Sequence, residues 1–172
     1  AGSDTLATSY TLSRAITKIA DYDLIICGRQ TIDGDTAQVG PEISEMLNLP
    51  FISYVSKVEE IENGKMRVER LIEEGHEVIE APLPAVITVT KEINVPRLPS
   101  LRGIMKSKSA TIQTWGADDL EVDSERVGRT GSPTWVMQIF FPQRVSEAEI
   151  IEGSPDEQVD KLVEKLKETK LV

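Results

Sequence analysis

Cysteine and histidine are almost absent: Cys27 and His76 are the only ones among 172 residues. A single cysteine excludes an intrachain disulfide and suits a reducing compartment, so a cytoplasmic protein is expected. A lone histidine, with no second imidazole or thiol in context, gives neither a metal site nor a nucleophile–base–acid triad. No catalytic residue and no metal ligand is therefore expected. Aromatic residues make up only 5%, and Trp115 and Trp135 read as packing residues. No run approaches the ~20 apolar residues of a membrane span, and the first residues lack a basic-then-apolar leader pattern. The net charge of −10, from 19 Lys+Arg against 29 Asp+Glu, argues against a general nucleic-acid binder, because the polyanion is repelled. It leaves room for a small bound nucleotide, which needs only a local nest of N–H donors.

What is present is an α/β pattern. The length suits one domain, with or without an appendage. The chain opens Ala1-Gly2-Ser3-Asp4 without methionine and reads as part of a longer polypeptide. Ser3 or Asp4 caps a predicted helix over 5–20, with Leu12, Ala15, Ile16 and Ile19 forming one apolar stripe. The short apolar run Leu24-Ile25-Ile26-Cys27-Gly28 predicts a strand covered on both faces of a parallel sheet. A second helix is expected to open at Pro41 and run through Leu47. Residues 51–61 and 65–72 read as a hairpin about Asn63-Gly64, with a third short strand at 76–79. Together, about 51–81, they predict a small antiparallel insertion ahead of a buried strand at Ala85–Thr90. Thr134–Phe140 reads as a late strand, and 153–172 as a capped amphipathic helix carrying Val159, Leu162, Val163 and Leu166. That helix suits either an arm docking on another chain or a helix packing on its own domain.

The segment Gly28-Arg29-Gln30-Thr31-Ile32-Asp33-Gly34-Asp35-Thr36-Ala37-Gln38-Val39-Gly40-Pro41 is the most informative. It leaves a buried strand and enters a helix N-terminus, where open α/β sheets bind ligands. Its glycines permit tight turns and close backbone approach. The helix-start N–H groups, the Thr31 and Thr36 hydroxyls and Arg29 suit phosphate oxygens. Asp33 and Asp35 would cap turns or accept from ribose hydroxyls. The segment matches neither a Walker loop nor the G-x-G-x-x-G fingerprint. From the residues alone it is either a nucleotide loop or a turn-rich connection. Thr5, Thr8 and Ser9, on the first helix's opening turns, either donate to a further phosphate, such as one of NADH, or serve in ordinary capping. A second loop, about 94–106, sets Leu98 and Leu101 beside Arg97, Arg102 and Lys106.

Three stretches, in this order and spacing, resemble the β subunit of electron-transfer flavoprotein: Asp4–Ser9, Gly28–Pro41 and Pro96–Lys106. The likeness extends over nearly the whole chain, including Pro142-Gln143-Arg144 and the C-terminal helix. The resemblance implies a three-layer αβα Rossmann-like domain over 1–141, lacking N-terminal strands of the family's sheet, and a C-terminal arm over 142–172 docking on an α subunit. It implies a heterodimer in which the α subunit carries FAD. The β-subunit loop matching Gly28–Val39, with Thr5 and Thr8, would hold a second adenine nucleotide. The small residues Gly34, Ala37, Val39, Gly40 and Pro41 are similar to the electron-bifurcating form, which implies FAD there, with NADH as possible substrate. The alternative is structural AMP in a non-bifurcating carrier; a non-redox adenine-nucleotide module and a purely structural scaffold are the rivals from other classes. Pro96, Arg97, Leu98, Leu101, Arg102, Ile104, Met105 and Lys106 resemble the family's recognition loop, with Leu101 as its anchor. Implied partners are the α subunit, an acyl-CoA or hydroxy-acid dehydrogenase, and ferredoxin or flavodoxin.

Overall fold

A computed structural model describes residues 2–141 and 148–171. They divide into two compact units, 1–136 and 137–172. The Pro142-Gln143-Arg144 stretch lies outside the described residues.

The first unit is built on five strands: β1 (Leu24–Gly28), β2 (Phe51–Glu62), β3 (Lys65–Ile72), β4 (Gly75–Pro82) and β5 (Ala85–Val89). Their order is β1-β5-β2-β3-β4. β1, β5 and the first part of β2 run parallel, while β2, β3 and β4 are antiparallel. The α/β class, the antiparallel part and a C-terminal helix are thus as the sequence leads one to expect. The role of β2 is not. Its opening residues pair with β5 (Phe51↔Val86, Ile52↔Ile87), and only from Val55 onward does it join the hairpin. The antiparallel part is therefore an extension of the central sheet, and Phe51 starts its third parallel strand. A bulge makes the change of partner possible. Tyr54 takes the left-handed conformation (φ 56), the register shifts between Ile52 and Val55, and the Tyr54 N–H donates to Thr88 Oγ1 at 3.0 Å.

β5 is buried on both faces, as its apolar run predicts. β1 is not: it lies at the edge of the described sheet, and Ile26 is 62% exposed. One core cluster unites Ile52, Val55, Ala85 and Ile87 with the hairpin residues Met66, Val68 and Ala81. The hairpin turns at Asn63 (φ 52) and Gly64 (φ 71), the left-handed pair that suits a two-residue connection.

Helix α1 (Thr5–Ile19) begins at Asp4, and α2 (Val39–Leu47) starts two residues ahead of Pro41. α1 packs against α2, and α2 contacts β5 and β2. The face α1 buries differs from the expected stripe. Ala7, Ser9, Tyr10 and Ser13 are buried, whereas Leu12 and Ile19 are exposed. Small and hydroxyl side chains allow a close helix pair joined by hydrogen bonds: Ser9 Oγ donates to Glu42 Oε2 at 2.7 Å, and Thr5 Oγ1 lies 3.0 Å from Gln38 Oε1 and 3.3 Å from Glu42 Oε1. Gly40 lets α2 approach β5, since a Cβ there would stand 2.5 Å from Thr88 Cγ2.

Asp4 ties the start of α1 to residues 132–134. Its carboxylate accepts from Ala7 N at 3.0 Å, Thr134 N at 3.1 Å and Thr134 Oγ1 at 2.9 Å, and its N–H donates to Ser132 Oγ at 2.8 Å. The Ala7 N–H, with Thr134 and Ser132 adding to it, holds the carboxyl below its ordinary 3.8. A depressed folded value stabilises the fold above the unfolded value, and that contribution is lost as the pH falls through the folded one. Asp4→Asn is expected to lower the melting temperature at pH 7 and to flatten the decline that the parent should show as the pH falls below 3.8. Parallel acid-melting curves for the two proteins would contradict this assignment.

Thr134–Phe140, expected as a strand, forms none: it is not among the five strands of the described sheet. Trp135 is 58% exposed and so is not the packing residue expected, whereas Trp115 is half-buried with the Lys18 ammonium 5.5 Å from its ring centroid. His76 lies in β4, its Nδ1 2.9 Å from Glu69 Oε1. In the second unit, helix α4 (Pro155–Glu168) carries a complete capping box between Ser154 and Glu157, and Lys165 pairs with Glu149. Its apolar residues Val159, Leu162 and Val163 are exposed. Among the described residues no helix is long and apolar enough to cross a membrane.

Candidate functional site

The register of the parallel strands fixes the site. Gly28, at the carboxyl end of β1, stands opposite Val89, at the end of β5. The two segments singled out in the sequence therefore leave the sheet side by side: residues 29–38 from β1, and 90–100 from β5. This carboxyl-end crevice is where open α/β sheets hold ligands.

The first loop is open to solvent, with Thr31, Ile32, Asp33, Gly34, Asp35, Thr36 and Gln38 exposed. Its left-handed residues are Asp35 (φ 50) and Ala37 (φ 54), not the glycines expected to supply them. Nothing lies within 4 Å of a Cβ built on Gly28, so backbone there faces open space, whereas Gly40 serves helix–strand packing. Asp33 shapes the turn. Its carboxyl is held below the ordinary range chiefly by the nearby Thr31 hydroxyl, then by the Gly34 N–H and its own. Asp35 N donates to Thr31 O at 3.1 Å, and the Gln30 amide donates to the Asp35 carboxylate. Both acids are thus engaged in shaping the loop. Thr5 reaches the loop's far end through Gln38, and Thr8 is half-buried one turn further along α1.

Three residues not singled out in the sequence complete the crevice. The Arg29 guanidinium lies 5.8 Å from the ring centroid of Tyr54, at the β2 bulge. Thr90 continues β5 and is 5% exposed, and its Oγ1 has no hydrogen-bond partner. Glu92 follows it, its carboxyl held below the ordinary range chiefly by the nearby Thr90 hydroxyl, then by its own N–H, with Lys91 and Arg29 adding positive charge. None of the three lies within a recognisable motif. A hydroxyl at the carboxyl end of a buried strand was the available signal for Thr90. Burial pushes the Cys27 thiol pKa up, which suits a packing role.

The second loop carries Pro96, Arg97 and Leu98 and ends in helix α3 (Leu101–Lys108), capped by Ser100 Oγ accepting from Gly103 N at 3.1 Å. None of its residues is buried. Leu98 is 94% exposed and Leu101 83%, so neither folds the loop back onto the core. Leu101 and Met105 are one helical turn apart, and Arg102, Ile104 and Lys106 are exposed with them.

An open cavity of about 550 Å³ elsewhere, at the start of α1, is lined by Asp4, Arg129, Thr134 and Trp135. The Asp4 carboxylate already accepts the Ala7 N–H there and brings negative charge, which disfavours an anion. Among the described residues no group of three His, Cys, Asp or Glu is placed to hold a metal.

Comparison with known families decides the lineage, because the electron transfer flavoprotein domain matches residues 1–120. The chain belongs to that family. Electron transfer flavoprotein subunit beta of Thermoanaerobacterium thermosaccharolyticum is 49% identical over 167 residues, covering 96% of this chain and 64% of that protein. The caffeyl-CoA reductase-Etf complex subunit CarD of Acetobacterium woodii is 42% identical over 172 residues, 99% of this chain and 65% of that protein. The acryloyl-CoA reductase electron transfer subunit gamma of Anaerotignum propionicum is 38% identical, covering 96% of this chain and 64% of that protein. The chain spans somewhat under two thirds of the length of these relatives. In this electron transfer flavoprotein chain, both loops leading from β1 and β5 fall within the matched residues.

Proposed function

We propose that this chain is the β-type subunit of a cytoplasmic electron-transfer flavoprotein, pairing with an α subunit and passing electrons between NADH and acyl-CoA-type dehydrogenases by flavin-based bifurcation. The observation that carries the nucleotide reading is the solvent-open loop at the carboxyl end of β1, shaped by its own acids and leading into α2. The residues fit an adenosine phosphate. Gly28 faces open space, the first turn of α2 offers N–H groups, Arg29 brings positive charge, and the buried Thr90 hydroxyl lacks a partner.

FAD bound there would supply two-electron exchange with NADH and single-electron transfer onward. The chain's own residues would hold and orient it: Gly28–Val39 around the phosphates and ribose, with Thr5 and Thr8 bordering the loop from α1. The names of the CarD and gamma relatives, which place them with caffeyl-CoA and acryloyl-CoA reductases, support a reductase or dehydrogenase partner of that substrate class. The exposed Leu98, Leu101 and Met105, flanked by Arg97, Arg102 and Lys106, suit transient docking, in which an apolar anchor gives affinity and charge speeds encounter.

The test is to denature the purified α–β assembly and identify what it releases. Two flavins per pair, one bleached by NADH, are expected; one flavin with AMP would make it the non-bifurcating carrier. Asp33→Ala, which removes the acceptor that shapes the loop, is expected to lower β-site nucleotide content several-fold. An assembly releasing no adenine nucleotide, or an Asp33→Ala protein retaining it fully, would overturn the reading.

A further inference from the structure

The Thr90 hydroxyl is the one buried side-chain polar atom among the described residues left without a hydrogen-bond partner. Burying a hydroxyl unpaired costs free energy, so such an atom calls for a reason. Its neighbours do not provide one. Thr90 precedes a short 3-10 turn over Lys91–Ile93 as its N-cap, yet its side chain accepts no cap hydrogen bond. Its own N–H donates to Val55 O at 3.0 Å, and its carbonyl accepts from Ile93 N at 3.2 Å. Glu92 lies close enough for its carboxyl to be influenced by the hydroxyl, but the pair does not reach hydrogen-bond geometry.

The place of this atom is informative. Successive strand residues face opposite sides. Thr88 faces α2, since Gly40 packs on its Cγ2, and Thr90, still extended (φ −89, ψ 168), falls on that same side one step nearer the carboxyl end. That step leads past the start of α2, toward the space between the helix N-terminus and the loop of residues 29–38. The Arg29 guanidinium lies by the same end of β5, 5.8 Å from the Tyr54 ring centroid and near enough to add positive charge at Glu92. Free N–H groups, a guanidinium and an unengaged hydroxyl are the donor set a phosphate takes.

We propose that Thr90 is a nucleotide-binding residue, its buried hydroxyl donating to a phosphate oxygen of the adenine nucleotide in this crevice. The assignment rests on the nucleotide reading above and adds a contact from β5, outside the loop that follows β1.

Thr90→Val keeps the volume and removes the donor; Thr90→Ser keeps the donor. On the full chain freed of endogenous nucleotide, AMP is titrated calorimetrically, and melting is followed with and without AMP. Thr90→Val is expected to bind AMP ten-fold or more weakly, the loss of one hydrogen bond to a charged group. Its melting temperature without AMP should be unchanged or higher, because the unpaired polar atom is gone. Thr90→Ser should bind within two-fold of the parent. Parent-like AMP binding by Thr90→Val would overturn the inference, as would clearly lower melting without AMP, which would make the hydroxyl structural. A parent chain that binds no AMP would overturn the nucleotide reading itself, so the two failures are distinguishable.

Discussion

Gly40→Ala is expected to destabilise the protein by about 1–3 kcal/mol, the usual range for inserting a methyl into a filled core. At this chain length that corresponds to a fall of several °C in melting temperature. Two effects compete. Alanine is the better helix former by about 1 kcal/mol, which alone would make the variant more stable. Against it stands a Cβ only 2.5 Å from Thr88 Cγ2, with Phe51 Cε2 at 3.5 Å and Cys27 Cβ at 3.8 Å beyond. Thr88 cannot turn aside cheaply. It is buried near the carboxyl end of β5, its branched side chain is stiff about χ1, and its Oγ1 accepts the Tyr54 N–H at the β2 bulge. The clash therefore wins. Thr88→Ser, which deletes the offending methyl and keeps the acceptor, should recover part of the loss in the double variant. Urea midpoints for the parent, both single variants and the pair would decide it. A Gly40→Ala midpoint at or above the parent's would refute the close-approach account.

If the proposed docking role holds, Leu101→Ala is expected to reduce electron transfer to the proposed dehydrogenase partner by about 30-fold in kcat/KM, the effect of losing a 2 kcal/mol interface anchor. Stability and flavin content should be untouched, because Leu101 is 83% exposed and contributes nothing to the core. That combination separates docking from folding. Arg102→Glu should act differently, slowing association mainly at low salt, since an exposed charge influences encounter more than affinity. Steady-state transfer rates over a salt series would resolve the two. Unchanged transfer in Leu101→Ala would remove the helix from the docking surface.

The elements most legible in the sequence were those whose local pattern and tertiary role coincide. Asn63-Gly64 gave its hairpin because that dipeptide suits two consecutive left-handed residues. Asp4 and Ser154 are found capping α1 and α4. β5 was readable as a run buried on both faces. The misreadings arose where pattern and packing part. The apolar stripe of α1 suggested Leu12 and Ile19 as core, but α2 is met by Thr5, Ser9 and Ser13, whose small size permits the close pair. Phe51–Ile61 looked like one hairpin arm, because no local signal marks a strand that changes partner at Tyr54. Thr134–Phe140 has the composition of a strand but lies exposed outside the sheet. Within the candidate site, the loop of residues 28–39 stood out through its glycines and hydroxyls. Tyr54, Thr90 and Glu92 did not, because strand register, not sequence spacing, brings them to it.

Val55 sits where two kinds of sheet are joined. It pairs with Val89 on the parallel side and with Arg70 on the antiparallel side, is fully buried, and its carbonyl takes the Thr90 N–H. The ribbon beyond it thus shares a hinge pin with the strands that carry the crevice. Fraying of the ribbon down to this rung would therefore loosen the floor beneath Thr90.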